Sequence, residues 1–360
     1  MTSRERVLRT FAFEKTDRVP VSYGSNPAVH GRLATAIGLK PDDWEGVRQY
    51  LGDDFRPVWT DYKGPQLFPG IPERHIDPVD GYRMRYIAND FGGYWDFCDF
   101  PLADAPPDVI ANWPVPSPDD FDYSRVAALV ASHGNHAINI GNAGVGDIIN
   151  SLGRLMGQEN ILIAMADRDE AVLRLIDRRH DLQIGCLDRV MQIAGDRIDF
   201  LWLGEDLGTQ IAPIVSMEMY RELLKPRHQR FVDFAKSYSL PVMIHTCGCS
   251  SWVYEEFVGM GFNAVDTLQP EARNMSPRYL KDNFGGRLAF HGCISTAGTL
   301  VTGTVDDIRK TVRDTLDIMA PGVNGQSGGG YMLAPSHSIQ DNTPVENILA
   351  MYDEARKYQI

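Results

Sequence analysis

Leu240-Pro241-Val242-Met243-Ile244-His245-Thr246-Cys247-Gly248 is an apolar run that ends in an imidazole, a thiol and a glycine. A short run of this kind, apolar throughout, reads as a strand buried on both faces. Strand side chains alternate sides, so His245 and Cys247, at i and i+2, face the same space. A neutral imidazole with a thiolate is a zinc-type ligand pair and half of a tetrahedral site. What the pair does depends on which residues the rest of the chain brings beside it.

Similar apolar runs recur from about residue 137 onward, at 137–141, 198–204, 241–245, 263–268, 287–291 and 330–334. Longer amphipathic stretches separate them, among them 168–194, 217–239 and 305–319. Buried strands alternating with helices imply a parallel sheet. Residues 18–22 and 55–60 bring the strand count to the eight of a TIM (β/α)8 barrel. An open doubly wound sheet would carry a glycine-rich phosphate turn after its first strand. Tyr23-Gly24-Ser25-Asn26 is a poor version of one, and Gly328-Gly329-Gly330 precedes its strand. The expectation is one α/β barrel domain over residues 1–360, with an N-terminal extension.

Residues 59–123 break the alternation. They carry Trp59, Tyr62, Tyr82, Tyr86, Phe91, Tyr94, Trp95, Phe97 and Phe100, with several prolines. Aromatics in bulk are more often core than binding box, so the plainer expectation is a cap that packs on itself. The sharper one is a lid-like insertion that supplies an aromatic wall to a pocket at the barrel mouth.

The net charge of −13 argues against nucleic acid, whose phosphates would be repelled. The charged start, Met1 to Arg6, lacks the apolar core of a signal peptide. No apolar run approaches the roughly 20 residues that span a bilayer. Five cysteines, Cys98, Cys186, Cys247, Cys249 and Cys293, form no disulfide framework, so a cytoplasmic setting is expected.

Catalysis in a TIM barrel sits at the C-terminal ends of the strands. Read in order, those ends carry Glu205 and Asp206, then His245 and Cys247, then Asp266 and Gln269, then His291 and Cys293, then Ser336 and His337. Each alone has an ordinary reading: a capping carboxylate, a core histidine or a buried thiol. Asp266 is placed to orient a ligand histidine from behind. Carboxylate, imidazole and thiol recurring on one face carry more weight than any single motif.

Ser3–Leu8 followed by Asp17-Arg18-Val19-Pro20-Val21 resembles the start of the uroporphyrinogen decarboxylase superfamily. So do Gly204–Gln210, Pro226-Arg227-His228, His245–Gly248 and the stretch from Gly329 to Asn347, including Ala334-Pro335-Ser336-His337. The resemblance runs over nearly the whole chain and implies a TIM barrel. True decarboxylases of the superfamily grip a tetrapyrrole's carboxylates with an Arg-Gln-Ala-Gly-Arg segment after the first strand. Here that region is Val21-Ser22-Tyr23-Gly24-Ser25-Asn26-Pro27, without arginine. The other branch comprises zinc methyltransferases that exchange methyl groups with a corrinoid protein, using His-x-Cys and a distant cysteine.

His245 and Cys247 match that pattern, and His337 stands where those enzymes have the second cysteine. One thiolate and two histidines leave the metal net positive and a stronger Lewis acid, suited to polarising an ether oxygen. The resemblance therefore implies Zn2+ held by His245, Cys247 and His337, with Glu205 as a fourth ligand, Cys293 being the alternative third. Glu205, Asp206 and Asp266 are the candidate catalytic or orienting carboxylates. The expected activity is transfer of a methyl group from a small donor, first of all a methoxylated aromatic (O-demethylation), to a corrinoid carried by a separate protein. No Asp-x-His-x-x-Gly segment marks a corrinoid site in this chain, and a homodimer is an expectation of the family. The rivals are a decarboxylase or lyase acting on a small acid without corrinoid, and a barrel that binds a small molecule or corrinoid protein without turnover.

Overall fold

The computed structural model describes residues 1–323 and 328–358. Its centre is a parallel sheet of seven strands: β1 (Phe55–Val58), β2 (Ala137–Gly141), β3 (Phe200–Gly204), β4 (Val242–His245), β5 (Ala264–Leu268), β6 (Ala289–Ile294) and β7 (Tyr331–Pro335). They pair in chain order, with helices such as Glu170–Ala194 and Val305–Met319 in the connections. This is the expected α/β TIM-barrel fold.

The eighth stave is not the strand expected at residues 18–22. It is reduced to a single parallel bridge between Val21 and Leu333. Ser22 donates to the Leu333 carbonyl at 3.0 Å, Leu333 donates to that of Pro20 at 2.8 Å, and Asp54, beside β1, donates to that of Val21 at 2.9 Å. The segment thus touches both edges of the sheet. It cannot extend its ladder, because Pro20 has no N–H and the Val21 N–H is taken by the Asp54 side chain at 2.9 Å.

Side chains pointing into the barrel form layers two residues apart. The lowest layer is Phe55, Ala137, Phe200, Met243, Ala264, Ala289 and Met332, packed with Val7 and Phe11. These last two come from the N-terminal helix Ser3–Phe11, started by a Thr2–Glu5 capping box. The helix plugs the N-terminal end of the barrel, and three alanines make room for it. The next inward residue on each strand is Pro57, Asn139, Trp202, His245, Asp266, His291 and Ala334. All seven line one central pocket.

The stretch 217–239 is helical but interrupted. Tyr220–Leu224 is a π turn leading into Lys225–Ser237. Pro226 has no N–H to give the Glu222 carbonyl, so the regular ladder cannot pass through it. The insertion after β1 forms a three-stranded antiparallel sheet, His75–Ile76, Arg83–Ile87 and Tyr94–Phe97, and a small pairing of Asp61–Tyr62 with Phe121–Asp122. No residue of 59–123 lines the central pocket. The lid expected to wall that pocket instead contributes Trp59, Tyr82 and Phe121 to a neighbouring chamber. No helix among the described residues is long and apolar enough to cross a membrane.

Asp54 ties the N-terminal helix to the barrel seam. It is fully buried and accepts from Arg6 at 2.6 Å, Arg18 at 2.7 Å and the Val21 amide. Asp54→Ala would leave Arg18 and the Val21 amide without their carboxylate and Arg6 with Asp17 alone, at a cost of about 3–5 kcal/mol. Urea unfolding followed by circular dichroism checks this; a loss below about 1 kcal/mol would contradict the role given to the network.

Candidate metal centre

β4 delivers its last inward side chain, His245, to the pocket floor, and the chain then turns sharply. Gly248 has φ +71°, and a Cβ there would sit 2.1 Å from the Gly208 carbonyl oxygen, so only glycine fits. The turn is pinned by acceptors from neighbouring strand ends. Asp206 accepts from the Cys247 amide and Gln269 from the Gly248 amide, each at 2.8 Å. The Cys247 Sγ is left 3.4 Å from His245 Nε2. His337, on the rim after β7, brings its ring to 5.9 Å from that of His245. One ligand atom from each of His245, Cys247 and His337 lies within 4.8 Å of the others.

The other face of His245 is fixed. Its Nδ1 lies 2.8 Å from Asp266 Oδ2 and 2.6 Å from Thr267 Oγ1, whose own hydroxyl donates to Asp266. Nδ1–H donates toward the carboxylate, which leaves Nε2 to face Cys247 and His337. Thr267 reaches this position because β5 slips register between Asp266 and Leu268, with φ +62° at Thr267. A β-branched residue with positive φ is strained, and such strain gathers at functional sites. Asp266 Oδ1 also receives His291 Nδ1 at 2.5 Å. The His291 Nε2 is buried without a partner among the described residues, on a ring that lines the pocket.

Charge within the group is strongly coupled. Burial alone would neutralise His245, but its hydrogen bonds to Asp266 and Cys247 raise its pKa well above the ordinary value. Burial opposes the Asp266 charge, yet the two histidines hold its carboxyl far below the usual range. Burial pushes the Cys247 thiol up, while His245 beside it draws it back. The enclosing rim, and next His245, push His337 down.

Zinc bonds of about 2.0–2.3 Å place tetrahedral ligand atoms roughly 3.5 Å apart. The His245–Cys247 spacing of 3.4 Å meets this already, with the third nitrogen close by. Two nitrogens and a sulfur, one imidazole oriented from behind by a carboxylate, form a donor set that fits Zn2+.

Residues 144–358, more than half of the chain, match the family described as uroporphyrinogen decarboxylase (URO-D). The chain belongs to that family. No curated protein matches it. Among solved structures, a methyltransferase from Methanosarcina mazei shares the fold of this family member end to end. Its TM-score is 0.64 at 17% identity, over 99% of both chains. D-psicose 3-epimerase, solved in the presence of D-fructose, overlaps loosely, with a TM-score of 0.35 at 14% identity, covering 69% of this chain and 83% of its own.

Not every expected residue joins the group. Asp206 does: its Oδ1 is 3.7 Å from His245 Nε2, and Asn150 Nδ2 donates to its Oδ2 at 2.7 Å. Glu205, expected as a fourth ligand, does not. Adjacent strand residues point to opposite sides, and its carboxylate accepts from the Ile148 and Ile149 amides at 2.9 and 3.0 Å, with His228 Nε2 at 3.3 Å. It caps the helix Ile149–Met156 and joins the Gly204–Gln210 and Pro226–His228 segments. Cys293, the alternative third ligand, is buried outside the group, and burial pushes its thiol pKa up. His291 was read among the strand ends but given no role, and Thr267 and Trp202 are site residues that sequence reasoning passed over, although inward parity with Ala289 and Phe200 marks His291 and Trp202.

Burial pushes Glu205 up to about 8, against the pull of the two amides. A carboxyl raised in the folded state holds its proton there more firmly than in the unfolded chain. Its contribution is full below about 4.5 and is lost as pH rises toward 8. Glu205→Gln, neutral throughout, should flatten that fall. Urea midpoints between pH 5 and 8 check it, and an unchanged slope would contradict the assignment.

Proposed function

We propose that this uroporphyrinogen decarboxylase family protein is a zinc-dependent methyltransferase. It takes a methyl group from a small methoxylated aromatic and passes it to the corrinoid of a separate protein docking over the barrel mouth. The observation that carries this reading is the convergence of His245, Cys247 and His337 within 4.8 Å at the catalytic end of the barrel. Zinc in this site would supply a Lewis acid for the oxygen that loses the methyl group.

The residues around the group have definable tasks. Asp266 and Thr267 hold His245 in one orientation. Asp206 anchors the Cys247 amide and sets a negative charge next to the ligand pair. Trp202, Phe55 and Tyr23 give the pocket the aromatic wall for a ring-bearing donor that the insertion does not provide. The pocket volume of about 490 Å³ falls within the usual range for small-molecule sites. Only Arg48 and Arg154 among its lining residues are guanidiniums, which speaks against a substrate with many carboxylates. The fold shared with the Methanosarcina mazei methyltransferase is compatible with this chemistry, and the distant cysteine position filled by His337 favours an ether over a thiol as the reacting partner.

Elemental analysis of the purified protein should find about one zinc per chain. His245→Ala, Cys247→Ser and His337→Ala should each lose most of it, and Asp266→Asn should weaken zinc binding by about 10–100-fold in chelator competition. Methyl transfer from a methoxylated aromatic to reduced cobalamin, followed by its visible spectrum, should fall in step. Unchanged zinc in Cys247→Ser and His337→Ala would remove the site. Turnover without metal would favour the decarboxylase-like alternative.

A further inference from the structure

Three buried side-chain nitrogens on the wall of the central pocket lack a hydrogen-bond partner among the described residues. They are Arg48 Nε, Trp202 Nε1 and His291 Nε2. Arg48 Nε faces the Asp53 carboxylate at 3.8 Å, so its charge is met. Trp202 and His291 have no such neighbour for these two atoms. Buried polar groups are costly to leave unpaired, and two of them on one cavity wall point to a ligand that satisfies both.

The two nitrogens differ in kind. The indole N–H of Trp202 can only donate. At His291 the polarity is set from behind, where Nδ1 gives its hydrogen to Asp266 Oδ1 at 2.5 Å. Asp266 stays ionised despite its burial, held so by its two histidines. The neutral ring of His291 therefore keeps a bare lone pair at Nε2, an acceptor. The Trp202 and His291 rings stand nearly edge to face, their centroids 5.8 Å apart, and Phe55 packs on His291 at 5.5 Å. Two hydrogen bonds of about 2.9 Å that meet at one atom cover a similar span. What fits between them is an atom that accepts from an indole and donates to an imidazole.

A hydroxyl oxygen does both. A carboxylate or an ether oxygen only accepts, and would set its lone pairs against that of His291; an ammonium only donates. The position is also tied to the metal group. His245, Asp266 and His291 are register partners on three neighbouring strands, and each imidazole holds one oxygen of the same carboxylate. We infer that Trp202 and His291 recognise a free hydroxyl on the methyl donor, Trp202 donating to its oxygen and His291 accepting its hydrogen. The pair determines specificity and takes no part in the transfer itself. The inference rests on the methyl-transfer reading for the donor's methoxy group, whereas the hydroxyl subsite stands on the two nitrogens.

Titration calorimetry on the purified protein, with zinc content measured alongside, tests it with the three methoxyphenol isomers. Each is set against the dimethoxybenzene of the same substitution, in which the hydroxyl is methylated. In wild type at least one methoxyphenol should bind about 10–100-fold more tightly than its counterpart. Trp202→Phe keeps a ring in the wall but removes the N–H, and should shrink that preference by about 3–10-fold at unchanged zinc content. His291→Phe, which removes the acceptor, should shrink it as well. A phenol can also ligate zinc, so Cys247→Ser separates the two sites: the preference should survive there as zinc falls. No preference in wild type, as when water alone fills the subsite, would overturn the inference. So would a preference unchanged in Trp202→Phe, or one that disappears with the zinc of Cys247→Ser. A Trp202-dependent preference in a protein that takes up no zinc would uphold the hydroxyl subsite and sink the metal reading. Bound zinc without that preference would do the reverse.

Discussion

Asp266 is a carboxylate buried in the barrel interior, and it is tolerable there because an imidazole meets each of its oxygens. An unpaired charge at this depth would cost several kcal/mol. Paired, it fixes two histidines from neighbouring strands, His245 through Oδ2 and His291 through Oδ1. The orientation of His245 decides which nitrogen faces Cys247 and His337. The candidate metal group, the pocket floor and the strained Thr267 turn are all arranged around that one carboxylate.

The arrangement exploits the two-residue period of the barrel. Its lowest inward layer is apolar and sealed by Val7 and Phe11, whereas the layer above is mixed, with Asn139, Trp202, His245, Asp266 and His291. Stability and chemistry are thus separated by a single step along each strand. The same parity explains Glu205, which stands next to Asp206 yet faces the opposite way, where it caps a helix and meets His228. Neighbours in the chain serve different structures because the pleat sends them to different sides.

The aromatic insertion is attached to the site indirectly. It leaves the central pocket to Tyr23, Phe55 and Trp202 and uses Tyr82 and Phe97 to support Arg154 from the side. Ring faces can hold a guanidinium in place without neutralising it, as a carboxylate would.

The strands and helices from residue 137 onward were legible in the chain, since runs such as Ala137–Gly141 and Val305–Met319 carry their burial pattern locally. The His245–Cys247 pair was legible for the same reason: i and i+2 on a strand must share a face whatever the rest of the fold does. The seam at Val21 was read too generously, because the competition between the Asp54 side chain and the backbone ladder involves residues more than thirty positions apart. Glu205 and Cys293 were offered as ligands because strand ends bring many polar groups to one rim, but which of them turns inward depends on register and on bulges. His291 meeting Asp266, and Arg154 packing against Tyr82 and Phe97, are facts of cross-strand and cross-helix distance. Local sequence specifies periodicity and residue chemistry; only the closed barrel, with its stagger and its slipped register at Thr267, determines which of those groups meet.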